Sequence, residues 1–449
     1  MQFKNTLWAV FALLSAALWA PQANAIPAFA RQVGMACSAC HFQHFPVLNS
    51  FGRAFKEGGY TMIGAQDKIE DPTAPGVSIP AVLNAALVGY IQEQKTNGPD
   101  NSTGPTGKTT NNGSLQIPQQ VSLFLGGRAN EHVGFEAEIN LTPGSGGTGT
   151  GGAGLIRYKV PFVYDVGNVK AGVVPFSTPL GAADSFEVMN TGAVAVHAFN
   201  QTVVAGATTG GIQVISAQQY IGTATNASGV ALIASNDNFF ANLAKWGANS
   251  GAGNSGSPTS NYLRAAWTTG AISGFDSAIG FQVWNGTSAE STPTVNPTTG
   301  VVDTKASAID AQMMGDVGGM PLLLIASYAN APASSGANPN LFNTSGLSKK
   351  SLNFGAELGV IPGVATVQLG LRRANSGGYV DGLTAASGNA TDNAIMIGAT
   401  YSIALNIRAE LTFTKASGDM YNAANAAAAT TAGSYFGTNM TTFDVAFAF

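Results

Sequence analysis

From residue 79 to the C-terminus, strand-like stretches of about ten residues alternate with connections of two very different lengths. Short turns, such as 165–168 and 362–363, alternate with long connections rich in Gly, Ser and Thr, such as 95–114. This alternation is typical of a transmembrane β-barrel, which has tight turns at one end and long loops at the other. It predicts an all-β transmembrane barrel of about 16 antiparallel strands over residues 79–449. Two predicted strands, 202–208 and 212–220, turn at Gly210-Gly211 and precede a long connection, 222–258.

The last predicted strand supports the membrane interpretation. It covers residues 441–449 and places Phe443, Val445, Phe447 and Phe449 on one face. An aromatic face of this kind suits the lipid interface of an outer-membrane barrel. A soluble sandwich with an amphipathic last strand is the alternative. Charged residues make up only 10% of the chain, against about 25% in typical globular proteins, which favours the barrel.

The N-terminus reads as a secretory signal peptide covering residues 1–25. Lys4 precedes an apolar run, 7–20, and Ala23-Asn24-Ala25 forms a cleavage site. The run is too short to span a bilayer as a helix. The mature chain is then divided into a small segment, 26–62, a Pro-containing linker, 63–78, and the barrel, 79–449. Export and barrel together predict the bacterial outer membrane, with both termini in the periplasm.

The small segment contains Cys37-Ser38-Ala39-Cys40-His41, the attachment motif of a c-type haem. The two thiols would form thioethers with the porphyrin, and His41 would be the proximal ligand of the iron. Alternatives are a chance match, a redox CxxC or disulfide, and a zinc site. A redox CxxC favours a βαβ context, and a zinc site needs its histidines a loop away. The motif therefore predicts one covalent haem c, held by Cys37, Cys40 and His41.

A helix over 46–57 is expected after the motif, because apolar residues repeat at helical spacing and Gly58-Gly59 ends them. Its aromatic face is expected to lie on the haem. For the distal side of the iron, Met62 is favoured, since a methionine ligand raises the haem potential. Four other residues are less favoured as ligands: His44, Met35, His132 and His197.

The segment resembles the fused cytochrome–porin family, the outer-membrane iron-oxidising monohaem c-type cytochromes. The resemblance is carried by Pro27-Ala28-Phe29-Ala30-Arg31-Gln32 before the haem motif, and by two motifs after it: Pro46-x-Leu48 and Phe51-Gly52-Arg53-x-Phe55-Lys56-x-x-Gly59-Tyr60. The barrel is similar in architecture and length. The resemblance implies one haem c per chain, a porin-like barrel with the haem segment in its lumen, and oxidation of extracellular Fe(II). Electrons would then pass to a periplasmic cytochrome or similar acceptor.

Composition limits the partners. The net charge of −4 disfavours nucleic acid, whereas an outer-membrane barrel contacts lipid. Arg53 and Lys56 are candidates for a haem propionate, although solvation of a helix surface is the commoner role. Asp184 and Glu187 are candidates for attracting cations, against a simple role in loop solubility. Two other functions remain open: a cytochrome–porin that exchanges electrons with another extracellular substrate, and a passive pore with a haem plug.

Overall fold

A computed structural model describes residues 27–449, except 65, 72, 74–77, 98–102, 105–106, 109–112, 143–153, 192–213, 215, 250–256, 273, 291–294, 297, 335–337, 378–390 and 422–436. The predicted signal peptide therefore lies outside the described residues. A short helical segment precedes a closed antiparallel barrel. The barrel strands are β1 (Ala85–Thr96), β2 (Gly113–Arg128), β3 (Gly134–Asn140), β4 (Gly154–Lys159 with Phe162–Val166), β5 (Val169–Thr178), β6 (Ala227–Asn236), β7 (Phe239–Gly247), β8 (Ser260–Ile272), β9 (Phe275–Asn285), β10 (Ala306–Val317), β11 (Met320–Ala331), β12 (Lys349–Ile361), β13 (Ala365–Asn375), β14 (Thr391–Ala404), β15 (Ile407–Ser417) and β16 (Asn439–Ala448).

The barrel has 16 strands and closes through β16 and β1, which pair from Met440 with Thr96 to Ala448 with Val88. Strand β4 is in two pieces because Pro161, which has no N–H to donate, interrupts it. Both pieces pair with β5 and therefore count as one strand. The predicted fold class is confirmed.

Connection lengths alternate around the barrel as predicted. Tight turns such as 318–319 and 405–406 lie at one end, and longer connections such as 179–226 and 332–348 lie at the other. Strand β1 starts, and β16 finishes, at the end with the tight turns. We call the two ends of the barrel the short-turn end and the long-loop end.

The wall has apolar side chains outside and polar side chains inside, the reverse of a soluble protein. In β13, Val367, Leu369 and Leu371 are exposed on the outer face, whereas Gln368 and Arg372 are buried on the inner face. The same alternation recurs in β12, β14 and β15. Because strand side chains alternate between two faces, the middle of these strands forms an apolar outer surface.

The predicted number of strands is right, but the strand predicted at 212–220 is wrong. The strand expected at 202–208 lies outside the described residues. Within the stretch expected as 212–220, Ala217–Ile221 is instead a helix (α4), capped by the Ser216 hydroxyl, which accepts from the Gln219 N–H. The real strands, β6 and β7, lie in the stretch interpreted as a long connection. Both faces of β6 are apolar, with Leu232 outside and Ala231 inside, so the polar alternation is missing there.

The N-terminal segment, residues 27–64, contains three short helices: α1 (Ala28–Val33), α2 (Cys37–Cys40) and α3 (Ser50–Glu57). The helix predicted over 46–57 starts later than expected, because the Asn49 side chain caps it by accepting from the Gly52 N–H at 2.9 Å. Part of the predicted linker forms a small ladder, Lys68–Glu70 with Ser78–Pro80, so the first barrel strand starts at Ala85 rather than residue 79. No helix in the described part of the chain is long and apolar enough to cross a membrane.

The N-terminal segment lies inside the short-turn end of the barrel. Its side chains bond inward-facing wall residues on opposite sides, including Glu136 of β3, Asp276 of β9 and Glu357 of β12. The described parts of the connection after β5, residues 179–191 and 216–226, also turn inward, and we call them the inner loop. Its Glu187 pairs with Arg264 of β8 inside the barrel. The N-terminal segment and the inner loop therefore share the lumen.

Candidate functional site

Helix α2 presents the two cysteines on a single turn. The His41 N–H closes that turn by donating to the Cys37 carbonyl at 2.9 Å. Both thiols are free and half-buried. The Cys37 Sγ donates to Asn406 Oδ1 at 3.2 Å. Asn406 lies in the tight turn between β14 and β15 with a φ of 67°, so the cysteine turn is located at the short-turn mouth.

Helix α3 holds the cysteine turn in place. Asn49 N donates to the Cys40 carbonyl at 3.0 Å, and Asn49 Nδ2 donates to the Ala39 carbonyl at 3.0 Å. Gly52 lies directly against the turn, since a Cβ on it would fall 2.1 Å from the Cys40 carbonyl oxygen. Only glycine fits at that approach without displacing backbone.

One ring nitrogen of His41 faces a backbone carbonyl. Its Nδ1 lies 3.3 Å from the Val47 carbonyl oxygen. Burial lowers the pKa of His41 to about 4, so the ring is neutral at pH 7. A neutral imidazole that donates from Nδ1 to a carbonyl leaves the Nε2 lone pair available, which is the usual arrangement of a metal-binding histidine.

The cysteines are not those of a reactive dithiol. Burial raises the pKa of the Cys37 thiol, and burial together with the neighbouring Cys37 raises that of Cys40. Thiols of redox CxxC motifs have lowered pKa values, because the thiolate is the reactive form. The environment therefore disfavours the redox alternative and fits a motif used for attachment.

Met62 lies at the far end of the N-terminal segment and is 42% exposed. Its backbone carbonyl accepts from Gln32 Nε2 at 2.6 Å, which fixes the chain there. Met35, next to the cysteine turn, is equally exposed at 42%. Met62 as a distal ligand stays a prediction.

The other histidines have structural partners or lie outside the described residues. His44 Nε2 lies 2.7 Å from Glu357 Oε1, and its Nδ1 contacts the Arg408 guanidinium. Both ring nitrogens are therefore engaged by the wall, as expected for a polar contact rather than an iron ligand. The ring of His132 stacks on Tyr164 with 4.3 Å between centroids. His197 lies outside the described residues.

Helix α3 contacts the barrel interior. Phe55 packs on Phe29 and Tyr60, with centroid distances of 5.2 and 5.9 Å, in the aromatic core of the barrel. Arg53 is buried and donates to both carboxylate oxygens of Asp276, at 2.8 and 2.7 Å. The Lys56 amine lies over the Phe186 ring, 5.7 Å from its centroid. These residues attach the helix to the barrel interior, and Phe55 contacts aromatic rings there; that the aromatic face lies on the haem stays a prediction.

The acidic residues expected to attract cations are already paired. Asp184 accepts from Lys159 Nζ at 2.8 Å and from the Thr178 hydroxyl at 2.7 Å. Glu187 lies 3.1 Å from Arg264 Nε. Asp184 and Glu187 were expected either to attract cations or to keep a loop soluble. Both expectations are wrong, because each carboxylate pairs with a basic side chain of the wall and so holds the inner loop against it. Among the described residues, no group of three His, Cys, Asp or Glu side chains is placed to hold a metal ion.

Several residues that position the site were not found from the sequence. Gln32 is fully buried and joins the N-terminal segment to the wall. Its Nε2 donates to the Tyr60 carbonyl at 2.6 Å, and its Oε1 accepts from the Arg128 N–H at 3.1 Å. The Tyr60 hydroxyl donates to Glu136 at 2.8 Å. Gln32 and Tyr60 belong to the motifs that carry the family resemblance, and that membership is a sequence signal for them. Glu136 has no such sequence signal.

Comparison with solved structures returns outer-membrane barrels. OmpF of Salmonella typhi, solved with daunomycin, is 12% identical with a TM-score of 0.49, over 85% of this chain and all 100% of that one. The outer membrane channel DcaP of Acinetobacter baumannii is 14% identical with a TM-score of 0.45, over 82% and 98%. An anion-selective porin from Comamonas acidovorans is 13% identical with a TM-score of 0.42, over 82% and 99%. These values are too low to transfer a function.

No protein-family model matches the chain. No curated protein matches it either.

Proposed function

We propose that this chain is an outer-membrane c-type cytochrome of the fused cytochrome–porin type. One haem c is attached at Cys37 and Cys40, and the barrel carries the haem segment across the outer membrane. The cytochrome oxidises extracellular Fe(II) and passes electrons inward to a periplasmic carrier. The observation that carries the proposal is the Cys37–Cys40 turn, followed at once by a neutral His41 whose Nδ1 faces a carbonyl.

The membrane placement is supported by the polarity of the wall. Exposed Leu, Ile, Val and Phe side chains cover the outer face of successive strands, such as Leu243, Leu263, Ile279, Ile309 and Leu411. A soluble protein rarely exposes an apolar patch above a few hundred Å². A closed barrel has no unpaired strand edge, and so it satisfies its backbone hydrogen bonds within lipid. Short turns in the periplasm and long loops outside then define the orientation.

The residues around the cysteine turn fit a covalently attached haem. Cys37 and Cys40 would form the thioethers and His41 would bind the iron, with Met62 as the favoured distal ligand. The group, when bound, supplies reversible one-electron chemistry. The chain's own residues do the positioning: the Val47 carbonyl fixes the tautomer of His41, and Asn49 fixes the turn. Exposed Met35 and Phe45 leave the short-turn mouth accessible to a periplasmic partner.

Fe(II) is the proposed substrate, which donates electrons and is not held as a resident metal. The donor would approach from the long-loop end and the acceptor from the short-turn end. The inner loop lies between the two ends, pinned by Lys159 and Arg264. Keeping Fe(III) outside would avoid its precipitation within the cell.

The test is reduction of the haem by Fe(II). The purified full-length protein in liposomes is mixed anaerobically with Fe(II), and the haem absorbance is followed. The proposal expects reduction by external Fe(II), and no absorbance change in a Cys37→Ala/Cys40→Ala variant. A haem that stays oxidised with Fe(II), but accepts electrons from another external donor, would replace iron by a different substrate.

A passive pore with a haem plug is the second candidate. It is favoured by the way the N-terminal segment is pinned to opposite sides of the wall through Glu136, Asp276 and Glu357. Single-channel conductance of the full chain and of a variant lacking residues 26–70 tests it. Conductance that rises on deletion, together with a full-length haem that no external donor reduces, would favour the plug.

A further inference from the structure

A groove of about 690 Å³ runs across the outer face of the barrel wall, over strands β11 to β15. It lies where these strands meet the long loops, since its lining includes the start of β12 at Lys350 and the last residue of β15, Ser417. It is therefore on the lipid-facing side of the wall, at the rim of the long-loop end.

Three basic side chains line this groove: Lys350 of β12, Arg373 of β13 and Lys415 of β15. All three are exposed and occupy outward-facing positions of their strands. Among the described residues, no carboxylate lies within ion-pairing distance of any of them. Asp419, beyond the end of β15, accepts from the Thr391 hydroxyl at 3.0 Å. The groove thus has a surplus of positive charge.

The lower part of the groove is apolar. Leu352, Leu371 and Ile395 are exposed on the same outward face, next to the cations in the strand register. Leu352 pairs directly with Arg373, and Ile395 pairs directly with Lys415. Two of the three cations, Arg373 and Lys415, therefore each have an apolar neighbour one strand away. A ligand that satisfies both parts needs a negatively charged head and a hydrocarbon body.

We propose that this groove binds a phosphorylated glycolipid of the outer leaflet, with its phosphates on Lys350, Arg373 and Lys415. Its acyl chains would lie along Leu352, Leu371 and Ile395. The cations extend over three inter-strand spacings, roughly 14 Å at about 4.8 Å each, so a head with two separated phosphates fits better than a single one. Basic clusters at the membrane interface bind anionic headgroups in this way. The inference rests on the membrane placement proposed above.

The experiment is native mass spectrometry of the purified full-length protein in detergent micelles. The probes are diphosphoryl lipid A, monophosphoryl lipid A, phosphatidylcholine and pyrophosphate. We expect one retained diphosphoryl lipid A per barrel, weaker retention of the monophosphoryl form, and no retention of the other two. Each Lys or Arg near an anionic lipid surface contributes about a factor of five in affinity. The triple variant Lys350→Gln/Arg373→Gln/Lys415→Gln should therefore bind roughly a hundredfold more weakly.

The matched control is Lys245→Gln, because Lys245 is an exposed, outward-facing lysine near the long-loop end of β7, away from the groove. It should bind lipid A like the wild type. Equal binding of lipid A by the triple variant and the wild type would overturn the inference, as would retention of pyrophosphate or phosphatidylcholine at the level of lipid A. Insertion into liposomes is measured in parallel: if the chain fails to insert, the membrane placement fails, whereas insertion without lipid A selectivity rejects this inference alone.

Discussion

The barrel wall and the N-terminal segment inside it are stabilised in different ways. The wall is a continuous ladder of backbone hydrogen bonds. Strand β13, for example, pairs along its length with both β12 and β14. The helices of the segment have only 6, 4 and 8 residues, and helices this short are not stable alone. The segment depends instead on individual side chains bonded to the wall, such as Arg53 and Tyr60.

Because of this difference, we expect that the barrel can stay folded when the N-terminal segment loses its docking. In the wall, the side chain mainly has to match the polarity of its face, so most single changes are tolerated. In the segment, one lost partner removes a large share of the docking energy. Substitutions can therefore separate loss of the barrel from loss of the docked cysteine turn.

The largest effect is expected from a charge on the lipid face of the wall. Leu369 is an outward-facing residue in the middle of β13. Leu369→Arg should destabilise the barrel by about 2–4 kcal/mol, because a charge near the bilayer midplane is poorly solvated. Urea unfolding in liposomes measures this. Val360→Arg, at the exposed short-turn end of β12, is the control and should cost less than about 1 kcal/mol. Equal costs at both positions would mean that the wall is not spanning lipid.

Gly52→Ala should affect the segment and leave the wall intact. The new methyl group would meet the Cys40 carbonyl oxygen at 2.1 Å, and overpacking of this kind costs about 3 kcal/mol when backbone must move. We expect faster tryptic cleavage after Arg53 and Lys56 and less haem per chain, with unchanged migration of the folded barrel in gels. Gly58→Ala is the control, since its methyl group would have ordinary 3.5 Å contacts. Unchanged cleavage in the Gly52 variant would contradict the docked arrangement.

Asp276→Asn tests the ion pair between segment and wall. The Arg53 side chain is 7% exposed and the Asp276 side chain 29%, so the change leaves a largely buried guanidinium without its anion. Docking should weaken by about 2 kcal/mol, below the full cost of a buried pair because Asp276 is partly solvated. Hydrogen exchange of the α3 amides measures it. Asp165→Asn, which breaks the exposed pair with Lys170, should leave exchange unchanged; the same acceleration in both variants would refute the role of Arg53.

The smallest effect concerns pH. Burial raises the pKa of Glu57, at the end of α3, to about 7, although Arg53 opposes the shift. Because the docked state favours the protonated form, this contribution is present below about pH 4.5 and is lost as pH rises through 7. Glu57→Gln should therefore stabilise docking by about 1 kcal/mol at pH 8 and not at pH 4. The difference in α3 exchange between variant and wild type at the two pH values is the measurement. A difference of equal size at both would rule out titration of Glu57.

The wall was predictable wherever the two faces of a strand differ in polarity. Strands β12 to β15 alternate between apolar outward residues and polar inward ones such as Gln368 and Arg372, and their positions follow from the sequence within a few residues. Strands β6 and β7 face the inner loop, so their inward residues, such as Phe240 and Trp246, are as apolar as their outward ones. The period-two pattern of polar and apolar residues is weak there, and β6 and β7 were interpreted as part of a long connection.

The cysteine turn was predictable because its pattern is local: Cys37, Cys40 and His41 lie within five residues. Its supports were not, because they come from distant parts of the chain. Asn406 is 369 residues away from Cys37, and no local pattern connects the two. The contacts of Arg53 and Phe55 with the barrel interior were missed for the same reason, since the helix carrying them packs against a wall that local periodicity does not reveal.

The most direct test of the account is the mass of the denatured chain from purified membranes, read with its absorbance spectrum. We predict that the peptide containing Cys37 and Cys40 retains the mass of one haem after denaturation, with a Soret band. Both should disappear in the Cys37→Ala/Cys40→Ala variant while the barrel still inserts into liposomes. An unmodified peptide and no Soret band in the wild-type protein would contradict the central claim.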